Sequence, residues 1–198
     1  MCVSDWFSAS YDEGREKFLA AAGAAGAGIS SFRNPNRGPD GGPLYTDVAW
    51  LGPEDADRVL LTVSGTHGVE GFCGSGAQIG TFRSGMVRAL PPRTMLLVVH
   101  AINPYGFAWV RRVNEDNVDI NRNFIDHAAG HPANAPYDEV HPMLVPADWD
   151  GPGKANADRQ IQNFIQTRGL AACQAALSGG QYDHADGIFY GGRAPVWS

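Results

Sequence analysis

Arg58-Val59-Leu60-Leu61-Thr62-Val63-Ser64-Gly65-Thr66-His67-Gly68-Val69-Glu70-Gly71 is the stretch on which the architecture turns. Its first half, Arg58 to Ser64, is a largely apolar run, the pattern of a strand buried on both faces. Its second half sets one imidazole and one carboxylate among Gly65, Gly68 and Gly71, residues that let a backbone turn tightly as it leaves a strand. A helix is then expected over Gly76 to Leu90. The next apolar run, Thr94 to His100, predicts a second buried strand that stops before Asn103-Pro104. Strand, turn, helix and strand in that order are the units of an α/β fold.

Working outward from this centre, Tyr11 to Ala25 is rich in Ala, Glu and Lys and reads as helix, fraying into the Gly/Ala stretch Gly23 to Gly28. Asn34 to Gly42 reads as a polar loop rich in proline and glycine, and Leu44 to Leu51 as a strand. Asp126 to Gly153 is expected to be a long loop rich in proline and histidine. Asn156 to Leu177 reads as one amphipathic helix with Ile161, Phe164, Ile165 and Leu170 towards one side, and Gly187 to Tyr190 as the start of a strand. No internal repeat and no linker is visible, so residues 1–198 are expected to form one domain. The expected fold is a three-layer α/β arrangement, a mostly parallel or mixed twisted sheet with helices on both faces. In such sheets ligands collect beyond the carboxyl ends of the strands, where His67 and Asn103 both fall.

Composition narrows the function classes. The chain has 198 residues, 43% of them hydrophobic, and a net charge of −6, with no basic stripe to meet nucleic acid. No apolar run approaches a membrane span, and Met1 to Trp6 shows neither a basic nor an apolar leader segment. Cys2, Cys73 and Cys173 are odd in number and widely spaced, as expected of free thiols in a reducing compartment. A cytoplasmic protein is expected, with neither nucleic acid nor membrane as partner.

His67 and Glu70 are of the types that ligate zinc, through imidazole nitrogen at about 2.0–2.1 Å and carboxylate oxygen at about 2.0–2.2 Å. Three apart in a tight turn, they can reach one ion; a zinc site with an open position lowers the pKa of its water to about 7. Without a metal, the same residues make a glycine-rich turn with Glu70 placed well at a helix N-terminus. A second segment, Asp119-Ile120-Asn121-Arg122-Asn123-Phe124, together with Arg112, offers an amide and two guanidinium forks suited to a carboxylate. Arg111 is as readily a solvated charge. Cys73-Gly74-Ser75-Gly76-Ala77 lacks the glycines of a G-x-S-x-G elbow, so Ser75 is not assigned as a nucleophile.

These segments together resemble the M14 zinc carboxypeptidase superfamily, and most closely its bacterial DUF2817 branch. Ser64-Gly65-Thr66-His67-Gly68-Val69-Glu70-Gly71-Phe72 is similar to that branch's zinc motif, and Asn103-Pro104-Tyr105-Gly106 resembles the NP-x-G turn of carboxypeptidases. Arg112 lies nine residues before Asn121, a spacing like that of the arginine that polarises the scissile carbonyl. Asn121-Arg122 matches the pair that holds the substrate's terminal carboxylate, and the tail from Gly187 to Ser198 also looks like this branch. The resemblance implies Zn2+ as cofactor with His67 and Glu70 as ligands, Arg112 as the catalytic cation, and Arg112, Asn121 and Arg122 as substrate-binding residues. It implies hydrolysis of a peptide or amide bond next to a free carboxylate, on a small peptide.

Alternatives stay open. The site also resembles the succinylglutamate desuccinylase and aspartoacylase group, which would make the substrate an N-acyl amino acid. The family's third zinc ligand, a histidine after a later strand, and its glutamate base have no match here. His100 precedes the Asn103-Pro104 turn; His127, His131, His141 and His184 read as exposed loop histidines, with His184 the weaker candidate for a ligand. The chain is therefore expected to be the N-terminal portion of a longer zinc-peptidase-like domain lacking its last strands. A non-catalytic module that binds a carboxylate-bearing ligand is the remaining reading.

Overall fold

The computed structural model describes residues 2–198. By its internal contacts the chain divides into two compact units, one running to Glu115 and taking in Trp197–Ser198, the other Asp116–Val196. The architecture is α/β, with a mixed four-stranded sheet and helices on both sides of it.

The first unit opens with helix α1 (Tyr11–Ala24). Ser10 caps it by accepting from the Glu13 amide at 3.2 Å, and the Glu13 carboxylate in turn accepts from the Ala9 amide at 2.7 Å. Strands β1 (Gly28–Arg37), β2 (Pro43–Leu51) and β3 (Arg58–Val63) follow, then α2 (Gly71–Arg83), β4 (Thr94–His100) and the short α3 (Pro104–Ala108). The strand order is β1-β2-β4-β3; β1/β2 and β2/β4 are antiparallel, and β3/β4 alone is parallel. The parallel pair is the one expected from the apolar runs. Its register sets Leu61 beside Leu97 and Val63 beside Val99.

The core lies where α1 and α2 cover one face of the sheet. Phe18, Ala21 and Ala22 of α1 and Ile79 and Phe82 of α2 pack on Ala49, Leu96 and Val98. Fully burying side chains of the Val, Leu and Phe class is worth about 1.5–3 kcal/mol each. On that face Arg15 reaches in to hold the buried Asp47 with two hydrogen bonds, at 2.7 and 3.0 Å.

Three expectations for this unit are corrected. The segment ahead of Leu44 is strand β1 up to Arg37, with only residues 38–42 forming a loop. Its polar sequence hides it: β1 is an edge strand, and Pro35 sits where the register shifts between Arg33 and Arg37. The second concerns β3, expected to be buried on both faces. It is also an edge strand, pairing with β4 alone among the described residues, and Val59, Leu60, Leu61 and Val63 are 44–57% exposed. The helix expected over Gly76 to Leu90 instead runs Gly71–Arg83: a 3-10 turn over Gly68–Glu70 leads straight into it, and Gly85 at φ 79° separates it from a 3-10 turn over Met86–Ala89.

The second unit is built from helices α4 (Ile120–Asn123), α5 (Ala135–Leu144), α6 (Pro152–Arg168) and α7 (Leu170–Ser178), with a small core of Tyr137, Val140, Phe164, Cys173 and Ala176. Helix α5 lies inside the expected loop. Asn134 caps it by accepting from the Tyr137 amide at 3.2 Å, and Pro136 sits in its first turn, where a missing amide costs nothing. The single helix expected over Asn156 to Leu177 is broken at Gly169, whose φ of 90° no helix accommodates. Gly187 to Tyr190 forms no strand; only an isolated parallel bridge joins Tyr190 to Gln181. No helix among the described residues is long and apolar enough to cross a membrane.

Candidate active site

The ends of β3 and β4 are locked together. The Ser64 amide donates to the Val99 carbonyl at 3.0 Å, the Ile102 amide to the Ser64 carbonyl at 2.9 Å and the Asn103 amide to the Gly65 carbonyl at 3.1 Å. The Ser64 hydroxyl accepts from the Ala101 amide at 3.1 Å. Gly65 sits at φ +68° with its Cα face against Ala101, so the turn out of β3 requires a residue without Cβ. Ala101, fully buried, takes φ 55° itself, a strained conformation that this ladder of bonds sustains.

The turn then presents His67 and Glu70 side by side. His67 Nδ1 lies 3.0 Å from Glu70 Oε1, with the imidazole mostly buried and the carboxylate exposed. The contact is an ordinary hydrogen bond between the pair; two ligands at about 2.0–2.1 Å from one tetrahedral ion lie about 3.3 Å apart, so the same two atoms need part by only a few tenths of an ångström to share a cation. The donor set, one imidazole nitrogen and one carboxylate oxygen, fits zinc chemistry, and the pair can serve as two of its protein ligands.

The two glycine-bearing motifs meet in space. A Cβ on Gly68 would fall 1.9 Å from the carbonyl carbon of Gly106, and one on Gly106 would fall 2.5 Å from the Asn103 amide nitrogen. Asn103 caps α3 by accepting from the Gly106 amide at 2.8 Å. The Gly68 amide donates to the Arg112 carbonyl at 3.3 Å, so Arg112 is tethered by its backbone to the His67–Glu70 turn while its side chain is exposed. The first unit therefore holds the backbone of Arg112 against the turn that carries His67 and Glu70.

Asn121 and Arg122 belong to the second unit, on α4. The buried Asp119 accepts from the Asn121 amide at 3.0 Å and fixes the start of this turn. Asn121 is exposed. The Arg122 guanidinium donates to the Ser178 carbonyl at 2.8 Å and to the Asn121 carbonyl at 3.1 Å, and the Arg122 carbonyl accepts from the Tyr182 hydroxyl at 2.7 Å. Asn123, which carried no role in the sequence, is buried: its side chain donates to the Gly191 and Ala194 carbonyls, both at 2.8 Å, and accepts from the Val196 amide at 3.1 Å. It staples the tail to the Asp119 turn. The signal for it was present in the repeat of Asn around Arg122, but a staple and a ligand-binding amide look alike in sequence.

His100 is removed from surface chemistry. It is fully buried, stacked on Phe18 at 4.3 Å, and bonded through Nε2 to the equally buried Ser75 hydroxyl at 2.9 Å. Burial, opposed in part by the nearby Asp47, pushes its pKa down to about 4, so the ring is neutral at physiological pH. Neither His100 nor Ser75 is reachable by a substrate. The expectation of exposed loop histidines is corrected at His141, half-buried on α5, at His127, half-buried in a 3-10 turn, and at His184, also half-buried; His131 is exposed.

No curated protein matches the chain. Among solved structures it is similar to bovine thrombin-activatable fibrinolysis inhibitor in complex with a tick carboxypeptidase inhibitor, at 17% identity and a TM-score of 0.43, over 64% of this chain and 46% of that one. It is similar to a second structure of thrombin-activatable fibrinolysis inhibitor at 15% identity and 0.43, over 81% and 46%. The glutaminyl cyclase of Porphyromonas gingivalis matches at 16% identity and 0.29, over 48% and 45%. The chain spans less than half the length of each of these structures. The family described as "Protein of unknown function (DUF2817)" matches residues 7–198, and the chain belongs to it.

Proposed function

We propose that this protein contributes to a zinc-dependent hydrolase that cleaves a peptide or amide bond next to a free carboxylate. The observation that carries the reading is the convergence of His67 Nδ1 and Glu70 Oε1 to 3.0 Å in a turn held by both β3 and β4. Zinc bound there would supply a Lewis acid and an acidic water. His67 and Glu70 would hold it, and the reading requires a further protein ligand and a general base that neither motif supplies.

The chain's own residues take these roles. Arg112, whose backbone carbonyl accepts from the Gly68 amide, would supply the guanidinium that meets negative charge developing on the carbonyl oxygen, and such preorganised donors are worth about 2.7–4 kcal/mol in the transition state. Asn121 and Arg122 receive the substrate's carboxylate, the amide donating one bond and the guanidinium a fork. For Arg122 this role competes with the backbone carbonyls its guanidinium already serves.

The test is zinc-dependent turnover by full-length protein on a panel of N-blocked dipeptides, their C-terminally amidated counterparts and N-acyl amino acids. Turnover restricted to free carboxylates and abolished by Glu70→Ala is the expected result. Turnover of N-acyl amino acids alone would move the assignment to a deacylase. Folded protein that binds a carboxylate ligand yet hydrolyses nothing would overturn the enzymatic reading in favour of a binding module.

A further inference from the structure

We propose that the second unit carries a divalent-cation site of its own, formed by His141, His184 and Asp186, separate in residues and role from the His67–Glu70 pair. One ligand atom from each of the three lies within 4.8 Å of the others. His141 Nε2 stands 3.4 Å from Asp186 Oδ1. That spacing is long for a hydrogen bond and matches the separation of about 3.3 Å expected for two ligands of one tetrahedral ion.

The imidazole of His141 is otherwise poorly served. Among the described residues its Nδ1 is buried with no hydrogen-bond partner, and its Nε2 has only the stretched approach to Asp186. A half-buried imidazole with neither nitrogen properly bonded leaves a debt of the kind a metal bond settles.

The surroundings are built to hold such ligands. His184 Nε2 lies 2.8 Å from Asp138 Oδ1, the carboxylate–imidazole arrangement that fixes the ring of a metal-ligating histidine. Asp138 and His141 sit three apart on α5 and so share one face of it. The loop bearing His184 is clamped by the buried Gln181, whose amide oxygen accepts from the His184 and Asp183 backbone at 2.7 and 3.0 Å and whose nitrogen donates to the His184 carbonyl at 2.7 Å. The Tyr137 hydroxyl accepts from the Ile188 amide at 2.8 Å and pins the same loop to α5 from the other side. The exposed Asp186 carboxylate supplies the third ligand, 3.4 Å from His141 Nε2.

Two imidazoles and one carboxylate select Zn2+ or a similar transition metal over Ca2+ or Mg2+, which prefer all-oxygen shells. The ion would cross-link α5 to the Asp183–Gly187 loop in a unit that has no sheet among its described elements and only a small apolar core. A metal staple is the device by which small cores are commonly stabilised. Its role is structural.

The experiment uses the whole chain carrying His67→Ala and Glu70→Ala, stripped with chelator and titrated with Zn2+ alone by calorimetry and with Co2+ by absorption. One saturable equivalent is expected to remain, with a rise in thermal midpoint on adding Zn2+. Asp186→Asn, an exposed isosteric change that leaves the fold intact, should weaken that equivalent at least about tenfold, and Asp138→Asn about ten- to a hundredfold. Loss of all saturable Zn2+ binding in the His67/Glu70 variant would overturn the proposal. So would an affinity that Asp186→Asn and His184→Ala leave unchanged; if His184→Ala fails to fold, Asp186→Asn decides.

Discussion

The Gly68 amide donates to the Arg112 carbonyl at 3.3 Å, which ties the residue following His67 to the backbone of the cation expected to face the reacting carbonyl. The bond forms only because Gly68 lies directly on the α3 backbone, where a Cβ would stand 1.9 Å from the Gly106 carbonyl carbon. Gly68→Ala therefore forces the His67 turn and α3 apart. The expected cost is about 3 kcal/mol, read as a lower urea midpoint with unchanged slope. A midpoint within error of the parent would show that the two motifs are not packed as described.

Arg122→Lys separates a structural guanidinium from a recognition one. The arginine donates to the Ser178 and Asn121 carbonyls at once, which a lysine ammonium cannot reproduce with the same fork. A loss of about 1–2 kcal/mol in unfolding free energy is expected. A carboxylate-binding role would add a rise in KM for substrates with a free carboxylate and none for amidated ones. Unchanged stability would refute the structural role of these bonds.

Much of the site's local geometry is legible in the order of residues, because it depends on steric facts about neighbours in sequence. Gly65, Gly68 and Gly71 mark a turn, and His67 and Glu70 share it whatever surrounds them. The parallel β3–β4 pair is legible for the same reason: two apolar runs separated by a helix. Strand β1 is not, since Asn34, Pro35 and Asn36 are poor strand formers that an edge position and a bulge tolerate. Nor is the exposure of Val59 and Leu61, because an apolar run says what a strand prefers to meet and not what covers it. The grouping of His141 with His184 and Asp186 is invisible along the chain. It depends on Gln181 and Tyr137 folding a distant loop onto α5.

The exposed face of β3 has a consequence for handling. Val59, Leu61 and Val63 point to the same side as Trp50, itself 37% exposed, and the outer edge of β3 has no strand beside it among the described residues. An apolar, unpaired edge is a template for self-association. Leu61→Lys should raise the concentration at which light scattering begins while changing unfolding free energy by less than about 0.5 kcal/mol, since the side chain is already half-exposed. Equal scattering for variant and parent would place the sticky surface elsewhere.

His100 makes stability depend on pH in a defined direction. Its ring is neutral in the folded protein, with a pKa lowered by burial to about 4, whereas the unfolded chain protonates near the ordinary value of about 6.5. Below about 6.5 the unfolded state binds a proton that the native state refuses, so stability is complete above that pH and falls as pH drops towards 4. Across that window the loss is on the order of 3 kcal/mol. Ordinary carboxylates also titrate in the lower part of the same window, so the parent alone cannot assign the loss. His100→Gln removes the titrating ring while keeping a polar group for the Ser75 hydroxyl, and its stability should change less between pH 7.5 and pH 4.5 than the parent's does. Ring chemical shifts supply the check that does not rely on the variant folding. A His100 signal still neutral at pH 5 supports the buried Ser75–His100 pair, and one titrating near 6.5 would mean that the ring is open to solvent and that the packing of α1 against the end of β4 is looser than the 4.3 Å stack on Phe18 requires.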